Sequence, residues 1–129
     1  MNTLFLVSMI VEAIFGIGFI FAPDALLGPM GVTLNDAATT IARMFGSAII
    51  SFPVLLWFVR KSDKAEFRMG VVYTMFVYYI VSTILLLMTQ LSGQMNAMGW
   101  SVVILHGVLT IWFGYYLIKR TTSKVQRSD

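Results

Sequence analysis

Cysteine is absent from this 129-residue chain, which removes disulfide scaffolds, thiolate zinc sites and thiol-disulfide membrane oxidoreductases from consideration. Charge is scarce as well. Only 12% of the residues are Asp, Glu, Lys or Arg, against about 25% in a soluble domain. Histidine occurs once, so bis-histidine haem ligation lacks its second ligand, and no spacing ties a methionine to a His–Met pair. No cluster of His, Asp and Glu reaches a metal-ligand count, so neither metal nor cofactor is expected. Gly-rich phosphate cradles, low-complexity tracts and clear internal repeats are not found. Disorder is excluded by the 14% aromatic content, because disordered chains are poor in aromatics and rich in charge.

What fills the chain is apolar: 58% of residues are hydrophobic and the mean hydropathy is +0.83. A hydrocarbon core of ~30 Å needs ~20 apolar residues per helix. Four stretches meet this requirement: Asn2 to Phe21, Ala37 to Phe58, Arg68 to Leu91, and Met98 to Ile118. Together they leave no room for a soluble domain. The expected architecture is an all-α membrane protein, one four-transmembrane-helix bundle over residues 1–129. A signal-peptide reading of the first stretch fails on three counts. No Lys or Arg precedes Leu4, Glu12 interrupts the apolar run, and Pro23 follows Ala22 where cleavage would fall. The stretch is therefore expected to be a retained span.

The basic residues set the orientation. Arg60, Lys61, Lys64 and Arg68 lie at or beside the second connection, and Lys119, Arg120, Lys124 and Arg127 lie in the tail. The first and third connections contain neither Lys nor Arg. With an even number of spans, the positive-inside rule places both termini in the cytoplasm and the Asp24/Asp36 and Gln90–Asn96 loops outside. The net charge of +3 is thereby explained by topology. Nucleic acid is excluded as a partner, and the basic tail is expected to attract anionic head groups. Trp57, Trp100, Tyr115 and Tyr116 fall near span ends, as an interfacial aromatic belt requires.

Pro23 and Pro29 break the first connection, leaving a short helical turn over Asp24 to Leu27. Asn35 or Asp36 is expected to cap the second helix. Pro53 should bend that helix and free the Ile49 carbonyl, for which Ser51 or a water is a substitute donor. Small and polar residues four apart form a stripe on each span. The stripes are Ser8, Glu12, Gly16; Arg43, Ser47, Ser51; Gly70, Thr74, Tyr78, Ser82; and His106, Thr110, Gly114. Each is expected to face the bundle interior.

Two charged residues lie inside the spans, Glu12 and Arg43, together with His106. At ~1.5 Å rise per residue Glu12 falls near the midplane, His106 roughly 3 Å and Arg43 roughly 8 Å toward the outer side. A lone charge at a span centre costs ~3 kcal/mol on translocon scales. A Glu12–Arg43 pair would offset part of that, with His106, Tyr78 and Ser47 as further hydrogen-bond partners. The cluster reads equally as a buried ion pair fixing helix order and as the lining of an outward cavity for a polar head group or small ligand. A Ser-His-acid site from Ser47 or Ser51 with His106 and Glu12 lacks any nucleophile elbow, so no catalytic residue is assigned. The methionines scatter as adaptable packing.

The run Ala42-Arg43-Met44-Phe45-Gly46, after a loop ending Met30-Gly31-Val32, resembles small bacterial four-helix membrane proteins grouped loosely with DoxX-like families. Gly99-Trp100 opening the last span and the basic tail extend the resemblance over most of the chain. It implies a four-helix fold and a bacterial inner-membrane location, and carries no activity. Small multidrug-resistance transporters share the size and a first-span glutamate. Here, however, Arg43 is available to Glu12, the third span lacks their aromatic-glycine pattern, and the positive-inside bias opposes dual topology. The leading expectation is a non-enzymatic accessory or interaction protein of the cell membrane, holding a lipid or small amphiphile at Glu12, Arg43, Ser47, Tyr78 and His106. A protein partner or homo-oligomer is compatible with it. A proton-coupled transporter using Glu12, and a membrane-embedded enzyme on a lipid-like substrate, are the alternatives.

Overall fold

A computed structural model describes residues 1–125, with side chains described through Lys119. Helix α1 spans Asn2–Phe21, followed by the short α2, Pro23–Leu27, and a single 3-10 turn, Gly28–Met30. Helices α3, Asp36–Ile49, and α4, Ser51–Lys61, together make the second span. Helix α5 covers Ala65–Leu91 and α6 covers Gly99–Val125. Four helical stretches are long and apolar enough to cross a membrane: Asn2–Phe21, Asp36–Lys61, Ala65–Leu91 and Gly99–Lys119. Each contains one of the expected stretches apart from Met98, which precedes α6. The extra residues of α4 and α5 are the charged ends at the second connection, where a helix can run on into the head-group layer.

The local breaks have chemical causes. Pro53 lacks an N–H and its ring crowds the carbonyl four residues back, and the helix is interrupted at Ile50, between α3 and α4. The Ser51 hydroxyl does not replace the missing donor on Ile49 as expected; it donates to the Ala48 carbonyl at 2.6 Å. Asn35 is the cap of α3, its Oδ1 accepting the Ala38 N–H at 2.8 Å. Gly31, at φ 83°, closes the 3-10 turn in a left-handed conformation that favours glycine.

Helix α1 packs along α3 and α4, and α5 along α6; the two hairpins meet through α4 with α5 and α1 with α6. The first hairpin closes around two glycines. A Cβ on Gly46 would lie 2.7 Å from Phe19 Cβ and 3.0 Å from the Gly16 carbonyl oxygen, and one on Gly16 would lie 3.1 Å from the Ile50 backbone N. Small residues permit this backbone approach, which is how helices associate where lipid removes the hydrophobic drive. The polarity of the bundle is inverted relative to a soluble protein. Ile14, Met44, Ile104 and Ile111 are between 61% and 75% exposed, while Ser8 is 0% and Glu12 2% exposed. Such a surface suits acyl chains rather than water.

Ser8, Glu12 and Gly16 are buried as expected. On the second span, by contrast, the buried set of α3 is Ala42, Gly46 and Ile49, and Arg43, Ser47 and, at the start of α4, Ser51 are exposed. On α5 the stripe divides: Gly70 and Thr74 are exposed, Tyr78 and Ser82 half-buried. The reason is that serine and threonine can satisfy their hydroxyls on their own helix. Ser47 donates to the Met44 carbonyl at 2.7 Å and Thr74 to the Gly70 carbonyl at 3.0 Å, so neither needs the interior.

The start of α1, the second connection and the Tyr116 region of α6 cluster at one end of the bundle, where Met1 N donates to Tyr116 Oη at 2.6 Å and Arg68 Nη2 to Asn2 Oδ1 at 2.6 Å. The first and third connections meet at the other. There Asn96 donates from its backbone N to the Met30 carbonyl at 2.8 Å and from Nδ2 to the Pro29 carbonyl at 2.9 Å. The side chains of Arg120 and Lys124, and Arg127 altogether, on which part of the orientation reading rests, lie outside the described residues.

Candidate functional site

Glu12 stands on the buried face of α1, one turn beyond Ser8. Its carboxyl group is held by two neighbouring residues of α5: Tyr79 Oη donates to Oε1 at 2.7 Å and Tyr78 Oη to Oε2 at 3.3 Å. The first distance is that of a good O–H···O bond and the second lies beyond the usual range, so Tyr79 is the principal partner. The buried Ser8 hydroxyl, one turn away on α1, has no hydrogen-bond partner among the described residues.

His106 packs its ring against both tyrosines and Phe15, with centroids 5.8 Å from Tyr79, 6.4 Å from Tyr78 and 6.3 Å from Phe15. Its Nδ1 is 2.9 Å from the Val102 carbonyl. A carbonyl only accepts, so Nδ1 carries the proton. That leaves Nε2 as the nitrogen able to address a ligand.

Above this cluster, toward the first and third connections, lies a partly open cavity of about 240 Å³. Glu12, Tyr78, Ser82 and His106 supply polar groups at its deep end. Phe15, Phe19, Phe45, Ile49, Leu86 and Val102 make its walls apolar, and Leu27, Met30 and Met95 approach its mouth. An apolar cavity with a few convergent polar groups is the usual form of a small-molecule site, although this volume falls just below the ~300–1,000 Å³ of typical ligand pockets. The Asn96 bonds to the Pro29 and Met30 carbonyls join the two connections at this end.

Of the five residues expected in the site, Glu12, Tyr78 and His106 come together and line the cavity. Arg43 and Ser47 do not. Both are exposed on α3, and the donors on the Glu12 carboxyl are the two phenols rather than a guanidinium. The expected Glu12–Arg43 pair is therefore replaced by a carboxyl–phenol cluster, and Arg43 occupies a surface from which a long side chain can extend to the head-group layer. Neither Ser47 nor Ser51 lines the cavity with His106, which removes both expected serine nucleophiles from the site. Sequence reasoning missed Tyr79 and Ser82 as site residues. Tyr79 lies in the apolar stripe Val72, Met75, Tyr79, which reads as core. The available signal was that a buried tyrosine hydroxyl normally finds a partner, and Glu12 lies at its depth. Among the described residues, no group of three or more His, Cys, Asp or Glu is placed to hold a metal ion.

Four apolar spans around a buried polar cluster define a multi-pass, four-helix membrane protein. The chain belongs to the family of the domain of unknown function DUF8292, whose model matches residues 6–128. Comparisons with curated proteins and with solved structures find no match.

Proposed function

We propose that this protein is a non-enzymatic accessory or interaction protein of the bacterial inner membrane that holds a small amphiphile or a lipid chain in its cavity. Both termini face the cytoplasm in this reading, and the cavity opens toward the outer leaflet. The observation that carries the reading is the apolar cavity ending on Glu12, Tyr78, Ser82 and His106. Its walls suit a hydrocarbon body, and its deep end offers a hydrogen-bonding anchor for a polar group. The motif resemblance to DoxX-like proteins agrees with the location and adds no activity.

The outward position of Arg43 removes one argument against proton-coupled transport, since among the described residues the donors on Glu12 are phenols and not a cation. The packing on the other side of Glu12 argues against transport more strongly. Leu4, Phe5, Leu56, Val72, Met75 and Phe113 are each 0% exposed and fill the half of the bundle nearer Met1 and the second connection. A proton or substrate released from Glu12 meets this apolar plug instead of a polar path. The enzyme reading is weakened by the commitment of His106 Nδ1 to Val102 and by the absence of a hydrogen bond between His106 and Glu12 among the described residues.

Native mass spectrometry of the protein released from nanodiscs tests the proposal. The wild type should carry a bound molecule that Leu86→Trp, which fills the cavity, removes. A wild type with no retained molecule, or one retained equally by Leu86→Trp, refutes it. Orientation has its own test: a cysteine placed at Ser92 should react with an impermeant thiol reagent from outside, and labelling from the cytoplasm overturns the topology.

A further inference from the structure

At the opposite end of the bundle from the cavity, a second and more open groove of about 410 Å³ lies between the start of α1, the start of α5 and the end of α6. Among the described residues its wall contains Met1, Asp63, Arg68, Tyr116 and Lys119. Three cationic groups, the Met1 α-amino group, the Arg68 guanidinium and the Lys119 ammonium, therefore share the groove with the carboxylate of Asp63.

The Arg68 guanidinium is positioned by neutral groups. Nη1 donates to the Ser62 carbonyl at 3.2 Å and Nη2 to Asn2 Oδ1 at 2.6 Å, and the guanidinium carbon lies 5.5 Å from the centroid of the Phe5 ring. A guanidinium has five N–H donors. Among the described residues two are used, one on the Ser62 carbonyl and one on the Asn2 amide oxygen, both neutral acceptors. The neighbouring α-amino group donates to Tyr116 Oη, again a neutral acceptor. Burial, then the Arg68 and Lys119 charges, push its pKa below the ordinary value. The Arg68 charge, set on neutral acceptors in the same groove as the Lys119 ammonium, gains from an anion brought between the two.

We propose that this groove binds a phosphate-type oxyanion, seated on the remaining N–H donors of Arg68 and beside Lys119 and Tyr116. The natural source is the phosphate of an anionic phospholipid. Arg68 lies in the first turns of α5, where the span leaves the hydrocarbon, and basic pockets between transmembrane helices recognise such head groups. Arginine's planar fork matches two phosphate oxygens at once, which lysine cannot do. Asp63 on the groove wall opposes multiply charged anions, and so favours a singly charged phosphodiester. This site is independent of the Glu12 cavity and stands whether or not the cavity is occupied.

The test uses the full chain in nanodiscs of phosphatidylcholine, with and without phosphatidylglycerol, read by native mass spectrometry after release. Wild-type protein should retain phosphatidylglycerol in preference to phosphatidylcholine. That preference should fall about tenfold in Arg68→Gln and about fivefold in Lys119→Gln. Lys64→Gln removes an exposed cation outside the groove and should change it less than about twofold. Arg68→Lys keeps the charge but loses the fork, and should fall between wild type and Arg68→Gln. Because Arg68 also ties α1 to α5, Lys119→Gln keeps the proposal testable if Arg68→Gln fails to fold.

A parallel arm adds inorganic phosphate to phosphatidylcholine nanodiscs and measures thermal unfolding. Arg68- or Lys119-dependent stabilisation there, with no retained phosphatidylglycerol, keeps the oxyanion site and makes free phosphate its source. If neither arm depends on Arg68 or Lys119, or if Lys64→Gln weakens retention as much as Lys119→Gln does, the groove has no oxyanion site and the basic end attracts lipid only by its summed charge.

Discussion

Replacing Tyr79 by Phe deletes one oxygen atom from the centre of the bundle and isolates the value of the hydrogen bond on Glu12. The ring remains, so its packing against Phe113 and His106, at centroid distances of 5.4 and 5.8 Å, is preserved. The lost bond is 2.7 Å long and joins a residue 0% exposed to one 2% exposed, so bulk water has little access to replace it. A hydrogen bond to a charged group contributes ~1.5–3 kcal/mol in soluble proteins. Inside membranes side-chain bonds average ~0.6 kcal/mol and reach ~1.7, because the unfolded chain in lipid also finds partners. The two ranges overlap near 1.5 kcal/mol, the destabilisation expected of Tyr79→Phe on the order-of-magnitude scale of these principles. Tyr78 donates from 3.3 Å, beyond an ordinary O–H···O distance, and Tyr78→Phe should cost less than about 0.5 kcal/mol.

Reversible unfolding by sodium dodecyl sulfate in mixed micelles, followed by tryptophan fluorescence, measures both. A double-mutant cycle with Glu12→Met should return a coupling of ~1 kcal/mol for Tyr79 and close to none for Tyr78. Equal effects of the two substitutions would refute the assignment of Tyr79 as principal partner. So would a Tyr79→Phe effect that persists unchanged in the Glu12→Met background.

The other expectations concern packing and placement. Gly46→Ala introduces a Cβ that meets Phe19 Cβ at 2.7 Å and the Ile20 backbone N at 2.9 Å, and should destabilise by ~1–3 kcal/mol in the same titration. Gly70→Ala meets nothing within 4 Å and should be neutral or stabilising by up to ~1 kcal/mol. Arg43→Leu should leave stability unchanged or raise it, since it removes an exposed in-span cation rather than half of a buried pair. Equally, Arg43→Met should not rescue any assembly defect of Glu12→Gln, and a rescue scored by size-exclusion profile would restore the ion pair that the placement of Arg43 denies. Asn96→Ala loses the Nδ2 bond to the Pro29 carbonyl and the Oδ1 cap on the Met98 N–H. Amide hydrogen exchange should accelerate at Met98 and around Gly31 while the core of α1 keeps its protection.

The contrast between Glu12 and Arg43 marks where the sequence is legible. Span lengths follow from the thickness of hydrocarbon, the interruption at Ile50 from Pro53, and the cap on α3 from Asn35. These are local demands with one solution each. The burial of Glu12 is also legible, because a short acidic side chain near the midplane cannot reach the head groups. Arg43 is different. It lies seven residues past the start of α3, roughly 10 Å by helical rise, and its long side chain can extend back toward the interface. Depth alone therefore does not drive it inward. Ser47 and Ser51 gave a false inward signal beside it, because their hydroxyls bond to the Met44 and Ala48 carbonyls within the same span. Tyr79 failed in the opposite sense, carrying the decisive donor inside a stripe that reads as apolar. What a carboxyl group in a bilayer needs is a donor at its own depth, and that donor need not be a cation. A phenol supplies it from an otherwise hydrophobic ring, without a second charge to desolvate. On that argument a pair of tyrosines opposite a lone in-span acid is as informative as an arginine, and Tyr78-Tyr79 facing Glu12 is the arrangement found here.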